Sequence, residues 1–257
     1  ERSPRYFILA GAFAAFTFAN ELPALAFFAA VTAGLLWYFP RHTLIAYAPA
    51  AALVMGAFFG TNYIAHDTWR LPYAHRSQTD PEDNWYEFEY VRDGKVQTSY
   101  WTTPRGIDIG EASPVAYALN VLVGQHGIFS LTPFWLLSVA GLTMLLRRGP
   151  PSHRVMALLV AGVSLVCIAF YLTRPQLDRN YGGMTSGFRW VFWMAPLWLY
   201  AALPAADAMN ATRPRRILVY VLVGASVLSA AYPIWNPWTL PWIRNLFVHF
   251  DWSRLPS

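Results

Sequence analysis

Seven long apolar runs are the feature that most constrains how this chain of 257 residues can fold. The runs lie at about 5–20, 22–39, 43–64, 129–146, 155–173, 189–208 and 216–233. A helix needs roughly 20 predominantly apolar residues to cross the hydrocarbon core of a bilayer, and tilt blurs its ends. The pattern therefore predicts an all-α polytopic membrane protein with about seven transmembrane helices and a small extracytoplasmic loop region.

Composition agrees with a membrane environment. Hydrophobic residues make up 56% of the chain and charged residues 13%, and the mean hydropathy is +0.30. A soluble domain of this length rarely combines these values. The net charge of +5 comes from basic residues in short connectors between apolar runs, where such residues orient a membrane protein. We therefore expect membrane lipids, and not nucleic acid, as partners.

The basic connectors fall on one side of the membrane if every apolar run crosses once. They contain Arg2, Arg5, Arg41, His42, Arg147, Arg148, Arg154, Arg213, Arg215 and Arg216. The positive-inside rule makes that side cytoplasmic. We expect a multi-pass protein of the bacterial inner membrane, with a cytoplasmic N-terminus and an extracytoplasmic C-terminus. Because the chain opens at Glu1 without a Met, we also expect it to be part of a longer protein.

This orientation divides the chain into four predicted regions. Residues 1–64 hold the first three helices, 65–128 form an extracytoplasmic loop, 129–233 hold four more helices, and 234–257 form a Trp- and Pro-rich interfacial tail.

The outer loop has structure of its own. Rings and carboxylates alternate over 85–90, and Asp93-Gly94 supplies a tight turn, so 85–101 is predicted to be a β-hairpin. A helix that starts at Pro114 is expected to lie on the membrane surface.

Glu21 is the first candidate for chemistry. The usual motifs of soluble enzymes are absent, so a site has to be assembled between the apolar runs. Glu21 lies between the first two runs, where a carboxylate is costly in lipid and acceptable beside water or a partner. It can serve as a catalytic base or ligand. The alternative is that Glu21 caps the second helix, with Pro23 in its first turn.

Two further candidates lie in the outer loop or close to it. Asn62 and His75 belong to a stretch rich in imidazole, amide and phenol groups, which can hold a sugar or phosphate; a solvated connector is the alternative. His126 lies between two glycines that allow a close backbone approach, and an exposed His126 on a tight corner is the alternative. Spacing alone establishes no metal site, and none is inferred.

The densest polar cluster is the stretch 178–189. Its glycine-rich turn, which contains Asn180 and Tyr181, offers backbone N–H groups to an anion. Arg189 begins the sixth run and places a guanidinium at headgroup depth, which suits a lipid-linked phosphate. The alternative is that Arg189 only snorkels to the interface.

Residues 180–189 and 124–133 resemble bacterial members of the polytopic type C glycosyltransferase superfamily, which includes protein O-mannosyltransferases and aminoarabinose transferases. The first stretch is similar to a Tyr-Gly-Gly-x-x-x-Gly-x-Arg turn before a late span. The resemblance extends over about 6–232 and implies the later, membrane-embedded portion of such an enzyme.

The resemblance implies transfer of a sugar from a polyprenyl-phosphate donor to an extracytoplasmic acceptor, with the lipid-linked sugar as co-substrate and no other cofactor. The acidic loop that supplies the family's base would precede Glu1. Glu21 is therefore proposed as catalytic by its chemistry alone. Arg189 is placed as a phosphate contact by its position in the turn, and Tyr181, Asn180, His126, Asn62 and His75 complete the candidate binding set.

Two other functional classes are compatible with the sequence. A non-catalytic membrane scaffold would use the hairpin at 85–101 to bind a protein partner, for example by strand addition. A transporter is the third alternative, although ionisable residues deep within the apolar runs are scarce apart from Asp207 near an end.

Overall fold

A computed structural model describes residues 3–77 and 79–250 of the chain. Arg2, used above for orientation, and residues 251–257 of the predicted tail lie outside the described residues. The described chain is mostly helical and contains a small antiparallel sheet. It divides into two compact units, Glu1–Gly106 and Ile107–Ser257.

Helices of the N-terminal unit pack through small side chains. They are α1 Pro4–Asn20, α2 Leu25–Tyr38, α3 Pro40–His42 and α4 Ala48–His66, with a 3-10 turn at Leu22–Ala24 and a π-helical turn at Thr43–Tyr47. The Tyr47 carbonyl approaches Gly11 so closely that a side chain there would clash. Buried Ala14, Ala15 and Ala51 complete this contact, as expected of helices that approach closely in membranes.

The N-terminal unit also contains the predicted hairpin. Strands β1 Glu89–Arg92 and β2 Lys95–Thr98 pair antiparallel, with Arg92 opposite Lys95. The two linking residues have positive φ, 55° at Asp93 and 73° at Gly94, which is the geometry of a tight hairpin turn. The strands are shorter than the predicted 85–101, because Tyr100–Thr102 forms a 3-10 turn.

The C-terminal unit holds the remaining helices. They are α5 Pro114–Leu122, α6 Ile128–Leu131, α7 Trp135–Arg148, α8 Pro151–Leu172, α9 Ala195–Met209, α10 Arg213–Ala231 and α11 Trp242–His249. Helix α7 lies against α9, where the Ser138 hydroxyl donates to the Trp198 carbonyl at 2.7 Å. The Trp198 indole in turn donates to Ser164 of α8 at 2.9 Å. These buried bonds fix the three helices in register.

Among residues 3–77 and 79–250, three helical stretches are long and apolar enough to cross a membrane. They are Pro40–His66, Pro151–Leu172 and Arg213–Ala231, and Leu22–Tyr38 is a shorter apolar helix. The three long stretches match the predicted runs at 43–64, 155–173 and 216–233. The described residues do not support the predicted count of seven.

Two of the other predicted runs are interrupted by non-α-helical backbone. The run at 129–146 is divided between α6 and α7, which flank Pro133. The run at 189–208 begins with the 3-10 turn Arg189–Met194 before α9 starts. An unbroken apolar stretch in sequence therefore gives two short helical pieces in one case and a shortened α-helix in the other.

Candidate functional site

The sequence-predicted site residues fall into two groups, one in each unit. Glu21, Asn62 and His75 belong to the N-terminal unit. His126, Asn180, Tyr181 and Arg189 belong to the C-terminal unit. Each group is described separately.

Arg179 holds the polar cluster of the C-terminal unit in place. Its Nη1 donates to the carbonyls of Glu111 at 2.9 Å and Ala112 at 2.7 Å, and its Nε donates to the Arg174 carbonyl at 2.9 Å. Arg174 pairs with Asp178. Three charged side chains of this region thus maintain loop structure.

His126, Tyr181 and Asn180 form a buried stack behind the glycine turn. The rings of His126 and Tyr181 are parallel within 2° at a centroid distance of 3.8 Å. Asn180 Oδ1 accepts a bond from the Gly182 N–H at 3.0 Å, and the Tyr117 hydroxyl donates to the Asn180 carbonyl at 2.8 Å. His126 is only 2% exposed, so it does not lie on an exposed corner.

Burial keeps the groups of this stack uncharged at neutral pH. It lowers the pKa of His126 to about 3, with a smaller contribution from Arg244. Burial, followed by the charge of Glu111, raises the pKa of Tyr181 to about 12. Burial also raises the pKa of Tyr117. Within the described residues His126 Nε2 has no hydrogen-bond partner, so the ring offers a neutral nitrogen rather than a charge.

Arg189 follows the glycine turn and is positioned by it. The Arg189 N–H donates to the Tyr181 and Gly187 carbonyls, both at 3.1 Å. Gly182, with φ of 95°, lies under the arginine side chain, since a Cβ there would be 2.9 Å from Arg189 Cβ. The guanidinium lies 5.8 Å from the ring centre of Trp238. It makes no ion pair or side-chain hydrogen bond with the described residues, in contrast to Arg179.

Arg189 lines a mostly apolar pocket of about 370 Å³. Leu131, Trp135, Phe192 and Trp238 supply much of its wall. Thr185 and Ser186 add hydroxyls. An apolar pocket with a guanidinium that no described carboxylate neutralises can bind an amphiphile with an anionic headgroup.

Asn62, in the N-terminal unit, has a structural role. Its amide nitrogen donates to the carbonyls of Thr68 at 2.7 Å and Arg70 at 3.2 Å. These bonds shape the chain where it leaves α4, beside Asp67 with φ of 52°. The side-chain N–H groups of Asn62 are therefore bonded to backbone carbonyls.

His75 belongs to a compact polar triad. His75 Nδ1 lies 2.6 Å from Asp83 Oδ1, and Arg70 Nη1 donates to both oxygens of Asp83 at 2.8 and 2.7 Å. The bonds from Arg70 and then His75 lower the pKa of Asp83. The His75 ring stacks on Trp85 at 3.9 Å and 7°. The triad thus fixes the orientation of Trp85.

Glu21 lies partly exposed at the end of α1. Its carbonyl accepts from the Ala24 N–H at 2.9 Å, but its side chain makes no capping bond. Burial raises the pKa of Tyr73, and the nearby Glu21 and Tyr86 raise it further by smaller amounts. Glu21 thus precedes the 3-10 turn Leu22–Ala24, and its side chain does not cap α2, which begins after Ala24.

An aromatic pocket of about 680 Å³ in the N-terminal unit was not predicted as a site. It is lined mostly by aromatic side chains, namely Tyr73, Trp85, Tyr86, Phe88, Tyr90, Tyr100 and Trp101. The alternation of rings over 85–90 was the available signal. This alternation predicts a hairpin and not a pocket, because periodicity shows which residues share a face and not that two segments enclose a cavity.

Among the described residues no group of three or more His, Cys, Asp or Glu side chains is placed to hold a metal ion. No protein-family model matches the chain, and searches of curated proteins and of solved structures find no match either.

Proposed function

We propose that this chain is a membrane glycosyltransferase, or the carrier-binding portion of one, that moves a sugar from a polyprenyl-phosphate donor to an extracytoplasmic acceptor. The observation that carries the proposal is Arg189, whose guanidinium lies on the wall of an apolar pocket and has no ion-pair partner among residues 3–77 and 79–250. A polyprenyl phosphate has the matching two-part chemistry, an apolar chain joined to an anionic headgroup. The lipid-linked sugar is the co-substrate, and no other cofactor is required.

Arg189 would act on the departing lipid phosphate. An acceptor hydroxyl attacks C1 of the sugar, the bond from C1 to the phosphate oxygen breaks, and the polyprenyl phosphate leaves with the electron pair. The negative charge that develops on that oxygen is stabilised by the guanidinium, whose planar fork matches phosphate geometry. The buried stack of Tyr181, His126 and Asn180 supports the turn that presents Arg189.

The acceptor hydroxyl must also lose its proton. Glu21 is the carboxylate that we propose as the general base. Its partly exposed position at the end of α1 supports this assignment. Asn62 and His75 then organise the same unit rather than contact the phosphate.

The proposal includes a location and an orientation. We place the protein in the bacterial inner membrane with its basic connectors and N-terminus in the cytoplasm, and with the loop 65–128 and the C-terminus outside. The runs 129–146 and 189–208 would cross as interrupted helices, in addition to the three long candidate spans, so that Arg213, Arg215 and Arg216 also lie in the cytoplasm. Breaks are tolerated in a membrane where the freed backbone groups find partners. Here the Phe134 N–H donates to the Ser226 hydroxyl at 3.1 Å.

Substitution of Arg189 tests the proposal. A hydrogen bond to a charged group contributes about 1.5–3 kcal/mol, so Arg189→Ala should weaken binding of a polyprenyl phosphate about 10- to 100-fold. Arg189→Lys, which retains the charge but not the planar fork, should lie between Ala and wild type. Binding is measured on the purified protein in lipid nanodiscs, and transfer on the native protein in membranes.

Arg215→Ala is the matched control, since Arg215 is exposed and does not line the pocket. It should bind the lipid phosphate like the wild type. Wild-type affinity in Arg189→Ala would rule out this role for Arg189.

A further inference from the structure

One end of the C-terminal unit carries arginines on two short connectors. Helices α7 and α9 run parallel, because the Ser138 hydroxyl donates to the Trp198 carbonyl, and Gly141, three positions further along α7, lies against the Ala201 carbonyl. Beyond Ser138 and Trp198 the two helices continue for about 15 and 17 Å, so they end at a similar level. The arginines lie at these two helix ends and at the beginnings of α8 and α10, namely Arg147, Arg148, Arg154, Arg213, Arg215 and Arg216.

The charges of these arginines are not neutralised by the described residues. All six arginines are exposed, and none forms an ion pair with a carboxylate among residues 3–77 and 79–250. Asp207, near the end of α9, makes no ion pair there either. Arg154 lies 3.5 Å from the Arg147 carbonyl, which is long for a hydrogen bond. The two connectors therefore present a positive surface, which we call the arginine surface.

The arginine surface does not stabilise the helices that carry it. Arg213, Arg215 and Arg216 lie in the first turn of α10, and Arg154 lies in the first turn of α8. The positive end of a helix dipole is at the N-terminus, so basic residues there lower helix stability. Like charges on neighbouring connectors also repel one another. An anionic partner would relieve both effects.

The position of the arginine surface favours lipid headgroups as that partner. Arg154 and Arg213 lie at the beginning of the two candidate spans of this unit, Pro151–Leu172 and Arg213–Ala231. If these helices cross a membrane, the guanidinium groups lie where the apolar segments meet the phosphates of one leaflet. A guanidinium binds a phosphate with two parallel N–H donors.

We propose that the arginine surface binds the phosphodiester headgroups of anionic phospholipids in the cytoplasmic leaflet. Such a headgroup brings phosphate oxygens and a net negative charge, whereas a zwitterionic headgroup also brings an ammonium that the arginines repel. The protein would thus select its lipid neighbours at these helix ends. The proposal rests on the membrane location and on the arginines, and it does not depend on glycosyltransferase activity.

The lipid selectivity of the purified chain in phosphatidylcholine vesicles tests the proposal. Spin-labelled phosphatidylglycerol should associate with the protein about threefold or more strongly than spin-labelled phosphatidylcholine does. The preference should shrink at about 1 M salt, where the Debye length is about 3 Å. The triple variant with Arg213→Gln, Arg215→Gln and Arg216→Gln should lose most of the preference. The corresponding triple Lys variant, which keeps the charges but not the planar fork, should lie between it and the wild type.

A second variant and a charge-matched control complete the test. Arg147→Gln with Arg148→Gln alters the other connector, leaves α10 unchanged, and should also lower the preference. The control removes three exposed positive charges from the N-terminal unit, by Arg92→Gln, Lys95→Gln and Arg105→Gln, and should leave the preference unchanged.

Three results would overturn the proposal. A wild-type preference in both connector variants would show that these arginines only orient the chain. An equal loss in the control would show that net charge alone attracts the lipid. Binding of soluble polyglutamate without any preference for phosphatidylglycerol would identify an acidic protein, and not a lipid, as the partner.

Arg189→Ala separates this inference from the proposed function. Arg189 lines the apolar pocket and is not part of the arginine surface, so its loss should leave the phosphatidylglycerol preference intact. A preference that disappears in Arg189→Ala would place the anionic-lipid site in the pocket and overturn the arginine surface. Polyprenyl phosphate is titrated with phosphatidylglycerol in excess, so that the arginine surface is already occupied. Wild-type polyprenyl-phosphate affinity in Arg189→Ala would then end only the role of Arg189.

Discussion

Two arginines ten positions apart in the glycine-turn region have different surroundings. The donors of Arg179 are engaged by three backbone carbonyls. The guanidinium of Arg189 lies 5.8 Å from the ring centre of Trp238 and makes no ion pair or side-chain hydrogen bond with the described residues. A satisfied guanidinium stabilises a loop, whereas an unsatisfied one retains its capacity for a phosphate. The difference depends on how Gly182 lets the Arg189 side chain lie against the backbone.

Gly182→Ala should displace Arg189. The methyl group would meet Arg189 Cβ at 2.9 Å and Nε at 3.2 Å, and φ of 95° is strained for alanine. We expect polyprenyl-phosphate affinity to fall about tenfold, as for loss of one charged hydrogen bond. Affinity is measured by titration in nanodiscs, beside the thermal unfolding midpoint.

Gly183→Ala provides a control matched for backbone strain. Gly183 has φ of 81°, but a Cβ there meets nothing within 4 Å. Both variants should lose stability, by about 1 kcal/mol or more, and only Gly182→Ala should lose affinity beyond that. Equal affinities in the two variants would show that Gly182 does not position Arg189.

At the scale of elements, the hairpin positions several rings of the aromatic pocket. Phe88 and Ser99 flank the two strands and are joined by a backbone bond of 2.8 Å. The strands are held in register by a two-residue turn in which both residues have positive φ. The turn therefore affects the pocket indirectly, because it sets the register of the strands that position the rings.

Gly94→Ala should loosen the hairpin. An alanine at φ of 73° costs about 1–2 kcal/mol, while Asn tolerates this conformation better and should cost less. Hydrogen exchange of the backbone over 89–98 should accelerate in Gly94→Ala more than in Gly94→Asn. Because a Cβ there meets nothing within 4 Å, identical exchange in the two variants would exclude backbone strain as the cause.

Local elements were largely predictable from the sequence, whereas long-range partners were not. Asp93-Gly94 predicted the hairpin turn, and Pro114 predicted the start of α5, because turn and cap preferences are local. The different surroundings of Arg179 and Arg189 were not predictable, since the carbonyls that bind Arg179 lie 67 and 68 positions away. Hydrophobic runs likewise predicted helices but not the interruption between α6 and α7.

At the scale of the whole molecule, the number of crossings decides which loops share a side of the membrane. The three long candidate spans leave residues 67–150 without a crossing. If residues 128–148 also cross, the hairpin and the loop between α7 and α8 lie on opposite sides. Helix α7 alone has 14 residues, or about 21 Å at 1.5 Å per residue, so it needs α6 to approach the bilayer thickness.

Cysteine labelling distinguishes the two topologies. Lys95→Cys and Ser152→Cys replace exposed residues on either side of 128–148, and the native Cys167 is buried. In intact cells an impermeant maleimide should label Lys95→Cys and not Ser152→Cys. Equal labelling of both would contradict a crossing by 128–148, and permeabilised cells, in which both should react, provide the control.

The rings of His126 and Tyr181 behind Arg189 are both uncharged, and this limits which groups can cause a pH dependence at this site. With a pKa of about 3 for His126 and about 12 for Tyr181, neither ring gains or loses a proton across the range in which the protein can be handled. The ring stack of His126 and Tyr181 therefore keeps a constant charge over this pH range. A bend near neutral pH in an affinity-versus-pH curve for lipid phosphate accordingly does not arise from protonation of His126 or from deprotonation of Tyr181.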